Sequence, residues 1–348
     1  MFNSPTVFVI GAGASADVGL PMGDGLRDKI ISELDSLKIG RFSRLEGNQA
    51  IIDALNTRAS EDQARGDHAA LNHYYRAARR IRADLGLFRS IDEMVEYHGG
   101  DKYIEYVAKT IICWSILEAE SRSTLLIGDE WDPKLDVGAL RTRDAWLLEL
   151  LHLLRGQAHV SHPEDIFDNV SFIVFNYDRV LEVFLILSLT SLSNLTVEKA
   201  HDIVNSLDII HPYGRVSGFG AETDIGFGML KNARIREFVD NIRTYGETER
   251  DEAEIERMHN LLSAARNVVF LGFAFHEQNL DFFKMDVSPS GVRFYATVYG
   301  VPEENWNDIK ASVFKRVQRP RLTTELEMTF RACKGAELLR IYARPLTR

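Results

Sequence analysis

The sequence predicts an α/β protein: a doubly wound parallel sheet carrying a large helical insertion. Three observations predict it. Residues 7–10, Val-Phe-Val-Ile, form an unbroken apolar run that ends on Gly11-Ala12-Gly13, the texture of a strand buried on both faces of a sheet. After residue 165 short apolar strands alternate with helical runs, the order that places helices on the faces of a parallel sheet. Between them, residues 39–156 hold several amphipathic helical runs and no convincing strand.

Taken in order, the first unit is a strand, a glycine turn and a helix opening near Asp24, which is the expected N-cap, with Leu26, Ile30, Ile31, Leu34 and Leu37 at helical spacing. The insertion contributes helical runs at 50–64, 67–85, 91–97, 101–120 and 140–154. The pattern then resumes with a strand at 170–175, helices at 180–189 and 197–204, a short strand at 207–210 and a glycine-rich loop at 212–228. A charged helix at 247–265 leads into a buried strand at 268–271, and a further strand follows at 294–298. Helical runs are expected around 304–314 and 323–332. The expected division is a discontinuous core of residues 1–38 and 160–300, an insertion or separate helical subdomain at 39–159, and a C-terminal extension at 301–348 packing on the core.

Composition removes several function classes. With 41 Lys and Arg against 51 Asp and Glu, the chain carries a formal charge of −10, which disfavours nucleic-acid binding through bulk charge. Arg76, Arg79, Arg80, Arg82 and Arg89 form a basic helical patch, read first as a solvated face and next as a surface for an acidic partner. Two cysteines, Cys113 and Cys333, build neither a thiolate zinc site nor a disulfide framework, and a reducing cytoplasm is the expected compartment. His152, His159 and His162 near Glu164 and Asp165 match no compact metal spacing, so no metal is expected. No leader is apparent. The longest apolar stretch, 180–189, is too short to span a membrane and is interrupted by Glu182, so a core helix is expected there.

Chemistry in such sheets collects at the carboxyl ends of strands. Four ends stand out: Gly11-Ala12-Gly13-Ala14-Ser15, Asn176-Tyr177-Asp178, His211-Pro212-Tyr213-Gly214 and Gly272-Phe273-Ala274-Phe275. The first fits a dehydrogenase fingerprint poorly. Ala16 occupies the third small position, but no second strand ending in an acid follows about twenty residues on, and Glu33 and Asp35 fall on the helix instead.

Together these pieces resemble the sirtuin-like NAD-binding family: GAGAS, then Gly19-Leu20-Pro21, an Asn-x-Asp, a His-x-x-Gly and a late glycine-led strand end. They look most like the bacterial sirtuin-like domains of antiphage defence. The resemblance covers residues 7–26 and 171–283 and implies a Rossmann-like core. Zinc-dependent deacylases of the family carry a four-cysteine ribbon and an Asp-Phe-Arg-Gly type segment, whereas this chain has two cysteines and Met22-Gly23-Asp24-Gly25. Protein deacylation is therefore the less favoured activity.

The resemblance implies an NAD hydrolase that releases nicotinamide and ADP-ribose and depletes NAD during infection. A non-catalytic module that holds NAD or ADP-ribose is the alternative. Asn176 is the first catalytic candidate, since a neutral amide can hold a ribose hydroxyl and a water without adding charge; its competing role is to cap the following helix. His211 is the candidate base, expected to be exposed by its turn at the sheet edge. Asp178 either orients Asn176 or the ribose, or sits in the first turn of the helix. Gly11, Ala12, Gly13 and Ser15 would meet the diphosphate, and the resemblance adds Pro21, Gly272, Phe273 and Asn279 around the dinucleotide, with Asp281 less favoured. It also implies control by self-association or by a partner, a HerA-type ATPase or a short Argonaute-like protein. The insertion is the expected contact face.

Overall fold

The computed structural model describes residues 1–39, 45–128, 133–156, 162–193, 195–217, 226–230, 235–249, 251–283, 291–317 and 327–347. Its centre is one six-stranded parallel sheet made of β1 (Thr6–Ile10), β2 (Val170–Val174), β3 (Ile209–Ile210), β4 (Asn267–Leu271), β5 (Arg293–Thr297) and β6 (Glu327–Arg331). The strands lie in the order 3-2-1-4-5-6, the doubly wound Rossmann order. All five residues of β1 are buried, and Phe8 lies opposite Phe172 on one side and Val269 on the other. A strand flanked and covered on all sides offers little room for polar side chains, which is why, after Thr6 with its hydrogen-bonded hydroxyl, its sequence reads as one apolar run.

Alternate residues of the strands feed two cores. Val7, Val9, Ile173, Val268 and Phe270 pack with Ile30, Leu55, Tyr74 and Ile111, so the insertion shares a continuous core with one face of the sheet. Phe8, Ile10, Phe172, Val174 and Leu271 pack with Trp146, Phe184 and Leu339 on the other face. The insertion supplies helices Gln49–Ala64, Ala70–Asp84, Ile91–Tyr97, α1 (Lys102–Ser121), Val137–Thr142 and Trp146–Arg155. Helix α2 (Val180–Ser193) carries the apolar stretch as a core helix, with every residue from Val180 to Leu189 except Leu187 buried. Among the described residues no helix is long and apolar enough to cross a membrane.

Several expectations change. The helix expected at 140–154 is two helices, because Asp136 caps Val137–Thr142 and Asp144, at φ 53°, breaks the path before Trp146. Asp24 lies in the first turn of Gly23–Ser36; the N-cap is Met22, without a side-chain bond. Two short antiparallel ribbons, Lys38–Ile39 with Leu45–Glu46 and Leu126–Ile127 with Lys134–Leu135, interrupt the insertion. The described part of the run at 323–332 contains strand β6, paired in parallel with β5 and burying Met328. The C-terminal segment thus completes the sheet, since pairing with β5 outweighs local helical preference.

Candidate functional site

The strand order reverses between β1 and β4, where such sheets leave a crevice. Here the two strand ends grip one another. Gly11 N donates to Leu271 O at 2.9 Å and Gly13 N to Gly272 O at 3.0 Å. Gly272 sits at φ 58°, and a Cβ there would lie 2.1 Å from Ala14 N. A Cβ on Gly11 would lie 2.5 Å from Gly272 O. Backbone packing between the two turns therefore accounts for these three glycines, and the amides of Gly11 and Gly13 already have partners. Ala12 is half-buried at the start of the short helix Ala12–Ser15. Pro21 is half-buried against the first turn of Gly23–Ser36, near Gly25.

Ser15, 3% exposed, joins this turn to the Asn-Tyr-Asp loop. Its Oγ accepts from Asn176 Nδ2 at 3.0 Å. Asn176 does not cap α2: Asp178 does, its Oδ1 accepting from Val180 N at 3.1 Å. The carboxamide of Asn176 is left for another purpose. It is 4% exposed, and among the described residues its Oδ1 has no hydrogen-bond partner. Burial pushes the Asp178 carboxyl up to about 6, against the Val180 amide and the Ser15 hydroxyl that favour the ionised form; Glu120 and Glu182 raise it further.

His211 is buried, 9% exposed, contrary to the expected exposed turn. The tight turn folds the ring inward because Gly214, at φ 69°, returns its amide to His211 O at 2.9 Å. Nε2 lies 2.7 Å from Glu182 Oε1, and Nδ1 lies 3.2 Å from Asn176 O. Arg215 Nη1 donates to the same Glu182 oxygen at 2.7 Å. Burial alone would raise the Glu182 carboxyl, but the charges of His211 and Arg215 hold it down, at about 2. Among the described residues its Oε2 has no partner.

Phe273 is 5% exposed inside an aromatic cluster, its ring 5.0 Å from Phe175 and 5.2 Å from Phe275. Asn279 is half-buried and accepts from Tyr213 Oη at 2.6 Å. Asp281, on the same short helix Glu277–Asp281, pairs with Arg316 at 2.8 Å. The structure thus joins Ser15, Asn176, Asp178 and His211 in one buried network beside Gly11, Gly13 and Gly272. Asn279 reaches it through Tyr213, Phe273 borders it with its backbone against Gly11 and its ring against Phe175, and Pro21 stands apart. A cleft of about 400 Å³ beside β3 is lined by His211, Arg215, Arg243 and Arg257 among others. A more apolar cavity of about 450 Å³ lies between α1 and α2. Neither is lined by Gly11, Gly13, Ser15 or Asn176. Much of the glycine-rich loop at 212–228 lies outside the described residues.

Sequence reasoning missed three partners. Glu182 was visible as a lone acid within an apolar stretch, a position that burial makes untenable without a cation. Arg179 and Glu120 form a buried ion pair, their side chains 1% and 0% exposed. Tyr177 Oη donates to Asp92 Oδ1 at the start of Ile91–Tyr97. Of the set-aside histidines, His152 and His162 are exposed beside Glu149 and Glu164, and His159 lies outside the described residues. Among the described residues no three potential ligands converge on a metal site. In the basic patch Arg82 pairs with Asp35 and Arg80 with Asp84, while Arg76 and Arg79 are exposed. No known family model and no curated protein matches the chain.

Proposed function

We propose that the chain hydrolyses NAD at the nicotinamide–ribose bond, as a sirtuin-like effector that depletes NAD in antiphage defence. One observation carries the proposal. Asn176 holds a buried carboxamide at the strand end next to the order reversal, tied by Nδ2 to Ser15 and with Oδ1 unmatched. A buried acceptor without a donor costs about 1–3 kcal/mol, and a ribose hydroxyl or a water supplies the missing donor. In the reaction water adds to the anomeric carbon as the C–N bond breaks. The electron pair of that bond leaves with nicotinamide and cancels its ring charge, and the water's second proton goes to a base.

Such an effector acts in the cytoplasm on NAD as substrate, without a metal. Self-association, or a HerA-type ATPase or short Argonaute-like partner, would restrain it. The test is incubation of the purified chain with NAD, alone and with candidate partners, followed by chromatography of nicotinamide and ADP-ribose. Wild type is expected to release both and Asn176→Ala neither. A wild-type chain that binds NAD and leaves it intact under all these conditions overturns hydrolysis.

A second reading, an NAD or ADP-ribose binding module, is favoured by the two acceptors facing His211, which leave neither ring nitrogen directed at open space. The same assay separates the two readings. Deacylation, the weaker alternative, is tested with acylated peptides.

A further inference from the structure

We infer that Ser15 and Asp178 are the positioning residues of the site. Ser15 gives its one proton to Asp178, can then only accept from Asn176, and so fixes the Asn176 carboxamide with its oxygen left for the ligand. The inference rests on the proposed NAD cleavage for its kinetics and on the hydrogen bonds of three buried side chains for its geometry.

The two ends of a carboxamide have nearly the same shape, so packing alone does not choose which end faces a neighbour. The partners choose. Asp178 Oδ1 accepts from Val180 N at 3.1 Å, and the Ser15 hydroxyl is a second donor to the same carboxylate. A hydroxyl has a single proton. Once that proton goes to Asp178, the Ser15 oxygen has only lone pairs to offer, and it receives Asn176 Nδ2 at 3.0 Å. Turning the carboxamide over would set Oδ1 against that oxygen, lone pair to lone pair.

The main chain holds the arrangement in place. Phe175 N donates to Ile10 O at 2.8 Å and Val216 N to Tyr177 O at 2.9 Å, which ties the loop on either side of Asn176. The direction of the Ser15 hydroxyl therefore decides what Asn176 shows a ligand. It shows an acceptor, the buried Oδ1 that has no partner among the described residues. A water or ribose hydroxyl that donates to Oδ1 keeps electron density on its own oxygen, beside the positive charge that develops at the anomeric carbon. An Nδ2 in the same place would draw that density away. The assignment also takes Ser15 from the diphosphate, because a phosphate oxygen needs a donor and the Ser15 proton is already committed.

The experiment is neutron diffraction from crystals of the deuterated full chain, paired with NAD kinetics in solution. Crystals are held at roughly pH 8, where Asp178, raised to about 6, is ionised. Neutrons separate nitrogen from oxygen and show each deuteron. Wild type is expected to carry the Ser15 deuteron on the Asp178 side, with the Asn176 amide nitrogen facing Ser15. In Asp178→Asn the introduced carboxamide keeps its oxygen for the Val180 cap and donates to Ser15 through nitrogen. The Ser15 proton then turns to Asn176, whose carboxamide reverses. With NAD as substrate, kcat is expected to fall by roughly 10-fold to 1,000-fold while KM stays within about threefold, since a hydroxyl can accept from Nδ2 as well as donate to Oδ1. The variant should lose this activity while standing no less stable than wild type in urea, which a merely structural role for Asp178 does not allow. Ser15→Ala should lose kcat as well. A Ser15 deuteron directed at Asn176 in the wild type, an unreversed carboxamide in Asp178→Asn, or either variant turning over at the wild-type rate overturns the inference. Should Asp178→Asn fail to fold, the wild-type deuteron decides. A chain that shows the orientation and its reversal but never cleaves NAD supports the positioning and overturns the hydrolysis.

Discussion

Gly272→Ala tests whether the glycines at the order reversal are structural necessities independent of any ligand. An added methyl would stand 2.1 Å from Ala14 N and 2.4 Å from Gly13 C, roughly 1 Å inside van der Waals contact. Both neighbours are backbone, so no side chain can move aside. Relief requires the β1 and β4 turns to separate, which strains the bonds Gly13 N to Gly272 O and Gly11 N to Leu271 O. Each buried bond left unmet costs about 1–3 kcal/mol, and alanine at φ 58° adds about 1–2 kcal/mol. The total, about 3–8 kcal/mol, is a large share of a typical folding stability of about 5–15 kcal/mol. The control is Gly291→Ala, also at positive φ, where the nearest atom to a Cβ is Arg266 Nη1 at 3.6 Å. Only the backbone term of about 1–2 kcal/mol applies there. Urea titration followed by circular dichroism measures both variants. If Gly272→Ala loses no more stability than Gly291→Ala, the interlocked turns do not explain the glycines.

Two further outcomes follow from buried charge. Asp178 has an ordinary carboxyl value of 3.8 and is raised to about 6 in the fold, so its contribution to stability is fully present below 3.8 and is lost as pH rises through 6. Asp178→Asn keeps the helix cap without the charge and should therefore exceed wild type by about 2–3 kcal/mol at pH 7.5, with the gap closing at pH 3.5; urea midpoints at both pH values decide, and a gap insensitive to pH refutes the assignment. Arg179→Met leaves the Glu120 carboxylate buried and unpaired, which should cost about 3–5 kcal/mol, whereas Glu120→Gln combined with Arg179→Met should recover at least half of that loss; additive losses in the double-mutant cycle would show that the two side chains do not act as a pair.

The sheet was legible wherever burial leaves no choice of residue. β1 and β4 read directly because strands covered on both faces are apolar along almost their whole length, here after the first residue, Thr6 in one and Asn267 in the other. β6 did not, since Glu-Met-Thr-Phe-Arg lies at a sheet edge, with buried Met328 and half-buried Phe330 its two apolar inward positions and exposed charged residues at both ends. The site followed the same division. Ser15, Asn176, Asp178 and His211 were all singled out from strand ends. What joins them was not, because the Gly13 contact to Gly272 and the Arg179 contact to Glu120 link segments distant in sequence. The side chain that does cap α2 is also not Asn176, for which capping was the competing role. Asn and Asp compete for the role by residue type alone, and only geometry assigns it to Asp178.

Residues 176–179, which follow β2 and Phe175, divide by parity, and the division ties the insertion to the site. Asn176 and Asp178 turn toward Ser15, the first through its amide and the second through its carboxylate. Tyr177 and Arg179 turn the other way, to Asp92 and to Glu120 of the insertion. The segment bends at Tyr177 and Asp178, and these contacts hold its alternate side chains on two sides. Burial raises the Asp92 carboxyl, which deepens its dependence on the Tyr177 hydroxyl, and the Glu120 carboxylate has Arg179 as its buried counter-ion. Neither insertion contact can be released without stranding a buried polar group. The position of Asn176 is therefore set as much by helices Ile91–Tyr97 and α1 as by the sheet that carries it, and the insertion belongs to the architecture of the site.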